Sequence, residues 1–329
     1  MVRQSNRSNR VTAMEIDAKV IKQMSMLGQA PSIFGLCLPR LIASHPEIIV
    51  LTADQAFPAG LDGFKTKFPD NFLSVGIAEQ NMIGVSAGLA EAGRKPICVA
   101  QACFLSMRAF EQVRQYCGYM KLPLILIGLS SGFGLTMNGN THYALEDIAL
   151  MRTIPGMSIA CPASERKAVE DFEEALIHDG PVYIRLNGMK ETQLPGEYDS
   201  NILAEGADLN IIACGSMSVQ ALKAAEILKE KGLQARVFDC NTIVPMSNEA
   251  LVEAAPLTVT VEEHRAAGGL GEAIASEMIN RGGGNLLRIC VGNDNPAPAS
   301  YPDLLEQCGL TPIQISDTIL ERISAIDNN

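Results

Sequence analysis

NFLSVGIAEQNMIGVSAGLAEA, residues 71–92, changes its period halfway along. Phe72-Leu73-Ser74-Val75 reads as a short buried strand. Met82, Ile83, Val85 and Leu89 then recur at helical spacing, so a helix is expected over about 79–92. Glu79 falls just past the strand end, in the first turn of that helix, with apolar residues on both sides. An acid there gains roughly 0.3–1 kcal/mol from the helix dipole. The same position also suits a buried carboxylate kept for chemistry, and the stretch by itself leaves both readings open.

The strand-then-helix unit repeats outward from this point. EIIVLTAD (47–54), PICVA (96–100), LPLILIGLS (122–130), MSIAC (157–161) and PVYIRL (181–186) read as strands. Helical periodicity lies near 107–119, 144–152 and 164–177, and an earlier helix over 13–27 follows a polar arm. Continuous apolar strands alternating with helices predict a mostly parallel sheet covered on both faces. NGMKETQLPGEYDSNILAEG (187–206) breaks the pattern with Gly, Pro and charge. A second α/β series follows it: DLNIIACG, a helix over 217–231, ARVFDC, LTVTVEE, a helix from about 271, and LLRICV. The division expected is an arm and helix over 1–28, a first domain over 29–190, a linker over 191–206 and a second domain over 207–329. Both domains are expected to be doubly wound α/β.

A net charge of -11 over 329 residues excludes the basic surface that nucleic acid or an acidic membrane needs. No apolar run of about 18 residues occurs to cross a membrane. The nine cysteines are odd in number, scattered and without CxxC spacing, which fits free thiols in a reducing compartment. Four histidines, none at metal-ligand spacing, give no metal site. A cytoplasmic protein is expected.

In parallel sheets ligands bind outside the carboxyl ends of the strands, so residues just past strands carry most information. SSGFGLTMNGNTH (130–142) is a thirteen-residue irregular loop ending on His142, and loops of that length inside a compact domain are often functional. Cys161 ends a strand but has no identifiable partner to activate it, which favours a pocket-wall role. GGLG (268–271) opens a helix after a strand, yet it lacks the spacing of a dinucleotide fingerprint, and Glu262 and Glu263 would repel a phosphate. A tight packing turn is expected there.

Taken in order, VGIAEQNMIGVSAGLA, FLSMRAFEQVR, NGNTHYALEDIALMRTIPGM and GPVYIRL resemble the pyrimidine-binding domain of transketolases. TVEEHRAAGGLGEAI resembles the transketolase C-terminal domain. The resemblance spans roughly 30–329. It implies thiamine diphosphate as cofactor and transfer of a two-carbon ketol unit from a ketose to an aldehyde. It implies that Glu79 hydrogen-bonds the ring nitrogen of the aminopyrimidine, that Phe104 packs on that ring and that His142 touches the donor's oxygens. Asp54 falls where the family has an aspartate at the cofactor and subunit interface. Gln101 and Met107 replace aromatics that flank the pyrimidine pocket.

A full transketolase also carries a diphosphate-binding domain with a GDG motif and a metal-holding asparagine, and this chain has no GDG. The resemblance therefore implies a split enzyme. A separate N-terminal subunit is expected to bind the diphosphate and Mg²⁺, with two copies of each chain as α2β2. On the substrate side Ser130, Asn138 and Cys161 replace, respectively, a histidine, an aspartate and a phosphate-pairing arginine. Loss of such an arginine removes a charge-assisted contact and implies a ketose that is not the ordinary phosphate, or an anion site supplied elsewhere. Three other readings resemble the chain: the β-subunit of a 2-oxoacid dehydrogenase, a deoxyxylulose-phosphate-synthase-like enzyme and a non-catalytic scaffold homologue.

Overall fold

The computed structural model describes residues 16–189, 194, 198, 200–246 and 255–327. The polar arm and much of the linker lie outside the described residues. Every strand expected from an apolar run forms. In the first half these are β1 (Ile48–Thr52), β2 (Phe72–Ser74), β3 (Lys95–Gln101), β4 (Ile125–Leu129), β5 (Ser158–Ala160) and β6 (Val182–Arg185). The second half supplies β7 (Ile202–Ala204), β8 (Leu209–Ala213), β9 (Ala235–Asp239), β10 (Thr242–Val244), β11 (Thr258–Arg265) and β12 (Leu286–Val291).

Among the described residues these make two sheets, ordered β10-β5-β6-β4-β3-β1-β2 and β12-β11-β8-β9-β7. All pairings are parallel except those of β10 with β5 and β7 with β9. Alternation along the central strands explains their unbroken apolarity. Leu51, Cys98 and Leu126 face one core, while Val50, Ile97 and Ile125 face another. Both faces of the sheet are therefore covered.

Sequence reading misses β7 and β10. The first lies inside the stretch read as linker. The second comes from the C-terminal half yet pairs antiparallel with β5, closing the edge of the N-terminal sheet. One core is shared in the same way, since Ile212, Phe238 and Ile274 pack with Leu126 and Met151. The halves are thus joined through a buried seam. No described helix is long and apolar enough to cross a membrane.

The seam includes a buried titratable carboxyl with a measurable consequence. Asp171, 6% exposed, accepts a hydrogen bond from Asn241 Nδ2 at 2.9 Å. Asp171 Oδ2 and Asn241 Oδ1 are buried without partners among the described residues. Burial pushes the Asp171 carboxyl up to about 7. A carboxyl raised above its unfolded value adds stability that is complete below about pH 4 and lost as pH rises through 7. Asp171→Asn supplies an amide that can donate to the orphaned Asn241 oxygen. The variant is expected to be more stable than the parent at pH 8, on the order of 2–4 kcal/mol, with the difference closing by pH 4. Denaturant melts at the two pH values check this, and equal midpoints at pH 8 would contradict it.

Candidate active site

The N-terminal sheet reverses its winding at β1, which has β2 on one side and β3 on the other. In open parallel sheets ligands bind at such a reversal, outside the carboxyl ends of the strands. Gln101, the last residue of β3, donates from Nε2 to Gln55 Oε1 at 2.7 Å, bridging the ends of β3 and β1. Its Oε1 is buried with no partner among the described residues. Asp54 is exposed and Ser130 partly buried. Both hold left-handed backbone, at φ 60° and 52°. Such conformations cost a non-glycine residue about 1 kcal/mol or more, and both lie just past strand ends.

β2 leads through Gly76, at φ 73°, into the helix Glu79–Glu91. Glu79 is the first residue of that helix and only 2% exposed. Its setting is not purely apolar, which corrects the sequence reading. Arg108 Nη1 donates to Glu79 Oε2 at 2.8 Å. Arg108 closes a π-helical turn, Phe104–Arg108, that Phe104 opens. One turn apart, the two side chains share a face, and the guanidinium carbon lies 4.0 Å from the Phe104 ring centroid. Phe104 in turn meets His142 edge-on, with centroids 5.2 Å apart. Glu79, Arg108, Phe104 and His142 thus form one continuous line of contacts. Arg108 is absent from the candidates that the sequence yields. The four-residue spacing from Phe104 signals that contact, but nothing local signals its bond to Glu79.

The remaining candidates divide. Met107 sits in the same turn as Phe104 and is 41% exposed. His142 is partly buried, with Nδ1 2.9 Å from Thr141 Oγ1. Asn138 ends the short turn Thr136–Asn138 and is exposed, and Asn140 Nδ2 donates to Pro296 O at 3.3 Å. Cys161 requires correction as a pocket-wall or substrate residue. It is fully buried, in the core that the two halves share and to which Cys214 also belongs. All nine cysteines are free.

GGLG is the expected turn rather than a phosphate loop. Glu262 Oε2 and Oε1 accept from Leu270 N at 2.7 Å and Gly271 N at 2.8 Å, filling the start of the helix Leu270–Asn280 with a carboxylate. A side chain at Gly269 would collide with the same carboxylate. Among the described residues no three His, Cys, Asp or Glu side chains converge as a metal site.

Comparison with known proteins agrees with this geometry. Residues 30–190 match the family model for the transketolase pyrimidine-binding domain, and 199–315 match that for the transketolase C-terminal domain. The chain is 34% identical over 297 residues to an apulose-4-phosphate transketolase subunit of Phocaeicola vulgatus, covering 86% of this chain and 94% of that one. It is 35% identical over 277 residues to a 6-deoxy-6-sulfo-D-fructose transketolase subunit of Clostridium sp., covering 80% and 82%. A solved split-gene transketolase, described as an inactive β4 tetramer, superposes with a TM-score of 0.78 at 32% identity, covering 89% and 98%.

Transketolases use thiamine diphosphate, and the residues present fit its aminopyrimidine. Glu79 is a buried carboxyl group able to share a proton with a ring nitrogen, Phe104 offers an aromatic face, and the orphaned Gln101 Oε1 can accept from an amino group. The chain belongs to the transketolase family, as a C-terminal, pyrimidine-binding subunit of the split type.

Proposed function

We propose that this subunit supplies the pyrimidine half of a ketol-transferring site whose other half lies on an N-terminal partner. The line Glu79–Arg108–Phe104–His142 carries the reading. When bound, the cofactor provides the electron sink that lets a ketose break beside its carbonyl and pass two carbons to an aldehyde. Glu79 holds a proton against the ring nitrogen. Arg108 engages its Oε2, which leaves Oε1 for that bond. Phe104 and Met107 seat the ring, Gln101 accepts from its amino group, and Asp54 faces the joint with a second subunit. His142, held beside Phe104, orients the donor's oxygens, with Ser130 and Asn138 on the same loop contacting the sugar.

The partner is proposed to hold the diphosphate and Mg²⁺, and two copies of each chain to assemble as α2β2 in the cytoplasm. Nine free thiols support a reducing compartment. The proposed division is 29–190 and 207–329, joined by 191–206; the family matches cover 30–190 and 199–315, so the second match begins inside the proposed linker. The matches to transketolase subunits over most of their length favour this reading over the dehydrogenase and scaffold alternatives; deoxyxylulose-phosphate synthases also match, at 31–33% identity, but over only 41–48% of their length.

The donor is proposed to be an uncommon ketose. Ser130 and Asn138 place no cation on the loop, and Cys161 is buried in the core that includes Cys214. The two named relatives act on apulose 4-phosphate and a sulfofructose, which agrees with an uncommon sugar. Turnover by the complex of this chain and its partner is to be compared for phosphorylated, sulfonated and unmodified ketoses. Xylulose 5-phosphate is expected to be at least about tenfold poorer in kcat/KM than the best donor, a difference of about 1.4 kcal/mol. A strong preference for xylulose 5-phosphate would overturn the substrate reading.

A further inference from the structure

The loop carrying His142 is built on the N-terminal sheet, but its two ends are anchored in the C-terminal core. Its base is closed by Gly132 and Ala144, which exchange both backbone hydrogen bonds at 3.0 Å. Phe133 and Tyr143 stack edge-on with centroids 5.0 Å apart, and with Leu145 they pack against Met217, Val261 and Tyr301. Across the loop, Tyr143 Oη donates to Thr136 O at 2.6 Å. His142 is therefore the neighbour of a residue fixed at both ends of its side chain.

One carboxylate from the other domain joins these parts. Glu263 lies near the end of β11 and is 1% exposed. Its Oε1 accepts from Phe133 N at 2.6 Å. Its Oε2 accepts from Tyr301 Oη at 3.0 Å, from Asn187 Nδ2 at 3.3 Å and from Ser216 Oγ. Asn187 also donates to Ser131 O at 3.0 Å, so the carboxylate reaches the loop twice. Gly132 is required beneath it, because a Cβ there would lie 2.5 Å from the carboxyl carbon, and φ is +60°. The next residues of β11 continue the grip. His264 Nε2 accepts from Ala149 N at 3.3 Å, and Arg265 N donates to Leu145 O at 2.8 Å. A buried carboxylate is costly unless several donors satisfy it, and four donors drawn from both domains make this one a structural joint.

We propose that Glu263 is a positioning residue for His142, through which the C-terminal domain sets the geometry of the loop that carries it. The inference rests on the donor-orienting role of His142 given above. An amide has one oxygen, so Glu263→Gln gives up either the Phe133 bond or the bond from Asn187 that ties the carboxylate to Ser131, and either loss loosens the loop base. A displacement of about 1 Å in a substrate-orienting group can cost on the order of a hundredfold in rate.

The test uses the chain with its partner subunit, as parent, Glu263→Gln, His142→Ala and the double variant. Glu263→Gln is expected to raise hydrogen exchange at Phe133 and the following loop amides by about tenfold or more. Exchange in β1, β3 and β4 should be unchanged. In activity, kcat should fall by about tenfold or more, while thiamine diphosphate affinity by calorimetry stays within about twofold. In the His142→Ala background the same change should cost less than about twofold, since residues acting as a unit are non-additive. Equal losses with and without His142, or unaltered loop exchange, would overturn the proposal. Should Glu263→Gln fail to fold, Tyr301→Phe removes one donor to the same carboxylate, and the same cycle applies with an expected loss of about threefold. A His142→Ala complex as active as the parent would instead refute the role of His142, with loop exchange still reporting on the Glu263 joint.

Discussion

Arg185→Ala is expected to destabilise the chain by about 3–5 kcal/mol, enough to abolish soluble expression if stability lies near the lower end for natural domains. Arg185 ends β6, and its side chain is 2% exposed. Its Nε donates to Asp147 Oδ2 at 2.8 Å, and Nη2 donates to Ala144 O at 3.1 Å and Glu263 O at 3.0 Å. Tyr183 Oη gives Asp147 its other bond at 2.7 Å. Removing the guanidinium leaves a fully buried carboxylate without its cation and strips a donor from two carbonyls, one in each domain. The cost of breaking such a pair exceeds what the pair contributes over an apolar replacement. Arg185→Met combined with Asp147→Asn is therefore expected to be less damaging than Arg185→Ala alone. Denaturant midpoints check the order, and a single variant within about 1 kcal/mol of the parent would contradict it.

The largest effect on activity is expected at Glu79. Glu79→Gln keeps the shape of the side chain and an oxygen for Arg108 but loses the capacity to carry a proton. Proton transfer by a positioned group contributes roughly 10²–10⁴-fold, so turnover by the complex should fall by at least about a hundredfold. The fall should appear in kcat more than in KM, because the sugar does not touch this residue in the arrangement proposed. Arg108 is 44% exposed on its side chain, so solvent can satisfy it when its partner is neutral, and folding should survive. That separates Glu79 from Arg185: one variant is expected to be folded and inactive, the other unfolded.

Much of this is legible in the sequence because the signals are local. The strands Ile48–Thr52, Lys95–Gln101 and Ile125–Leu129 are buried on both faces, so their apolar runs are unbroken and easily seen. Glu79, Phe104 and the loop that ends on His142 follow strands of a parallel sheet, and the resemblance to transketolases is what gives these residues their expected roles. Where pairing is decided by chain segments far apart, the sequence is silent. Arg108 lies 29 residues from Glu79, and Glu263 lies 130 from Phe133. Neither spacing has a local period. By sequence alone Glu262 and Glu263 are only charges hostile to phosphate. In the fold they are buried acceptors, one filling a helix start and the other joining two domains. Cys161 misleads for the same reason, since it is buried in a core shared with Cys214 and Ile212 of the other domain. β10 is short and sits in the C-terminal half, and only the completed fold shows that it pairs with β5.

Glu79 carrying the proton of a split transketolase is the central claim, and one assay reaches it most directly. Ketol transfer is measured for this chain alone, for the chain mixed with its diphosphate-binding partner, and for Glu79→Gln mixed with the same partner. Calorimetric binding of thiamine diphosphate is followed in each mixture. The predicted result is no turnover by the chain alone, turnover by the parent complex, and a loss of at least about a hundredfold in the variant complex, which still forms. Near-normal turnover by the Glu79→Gln complex would contradict the account.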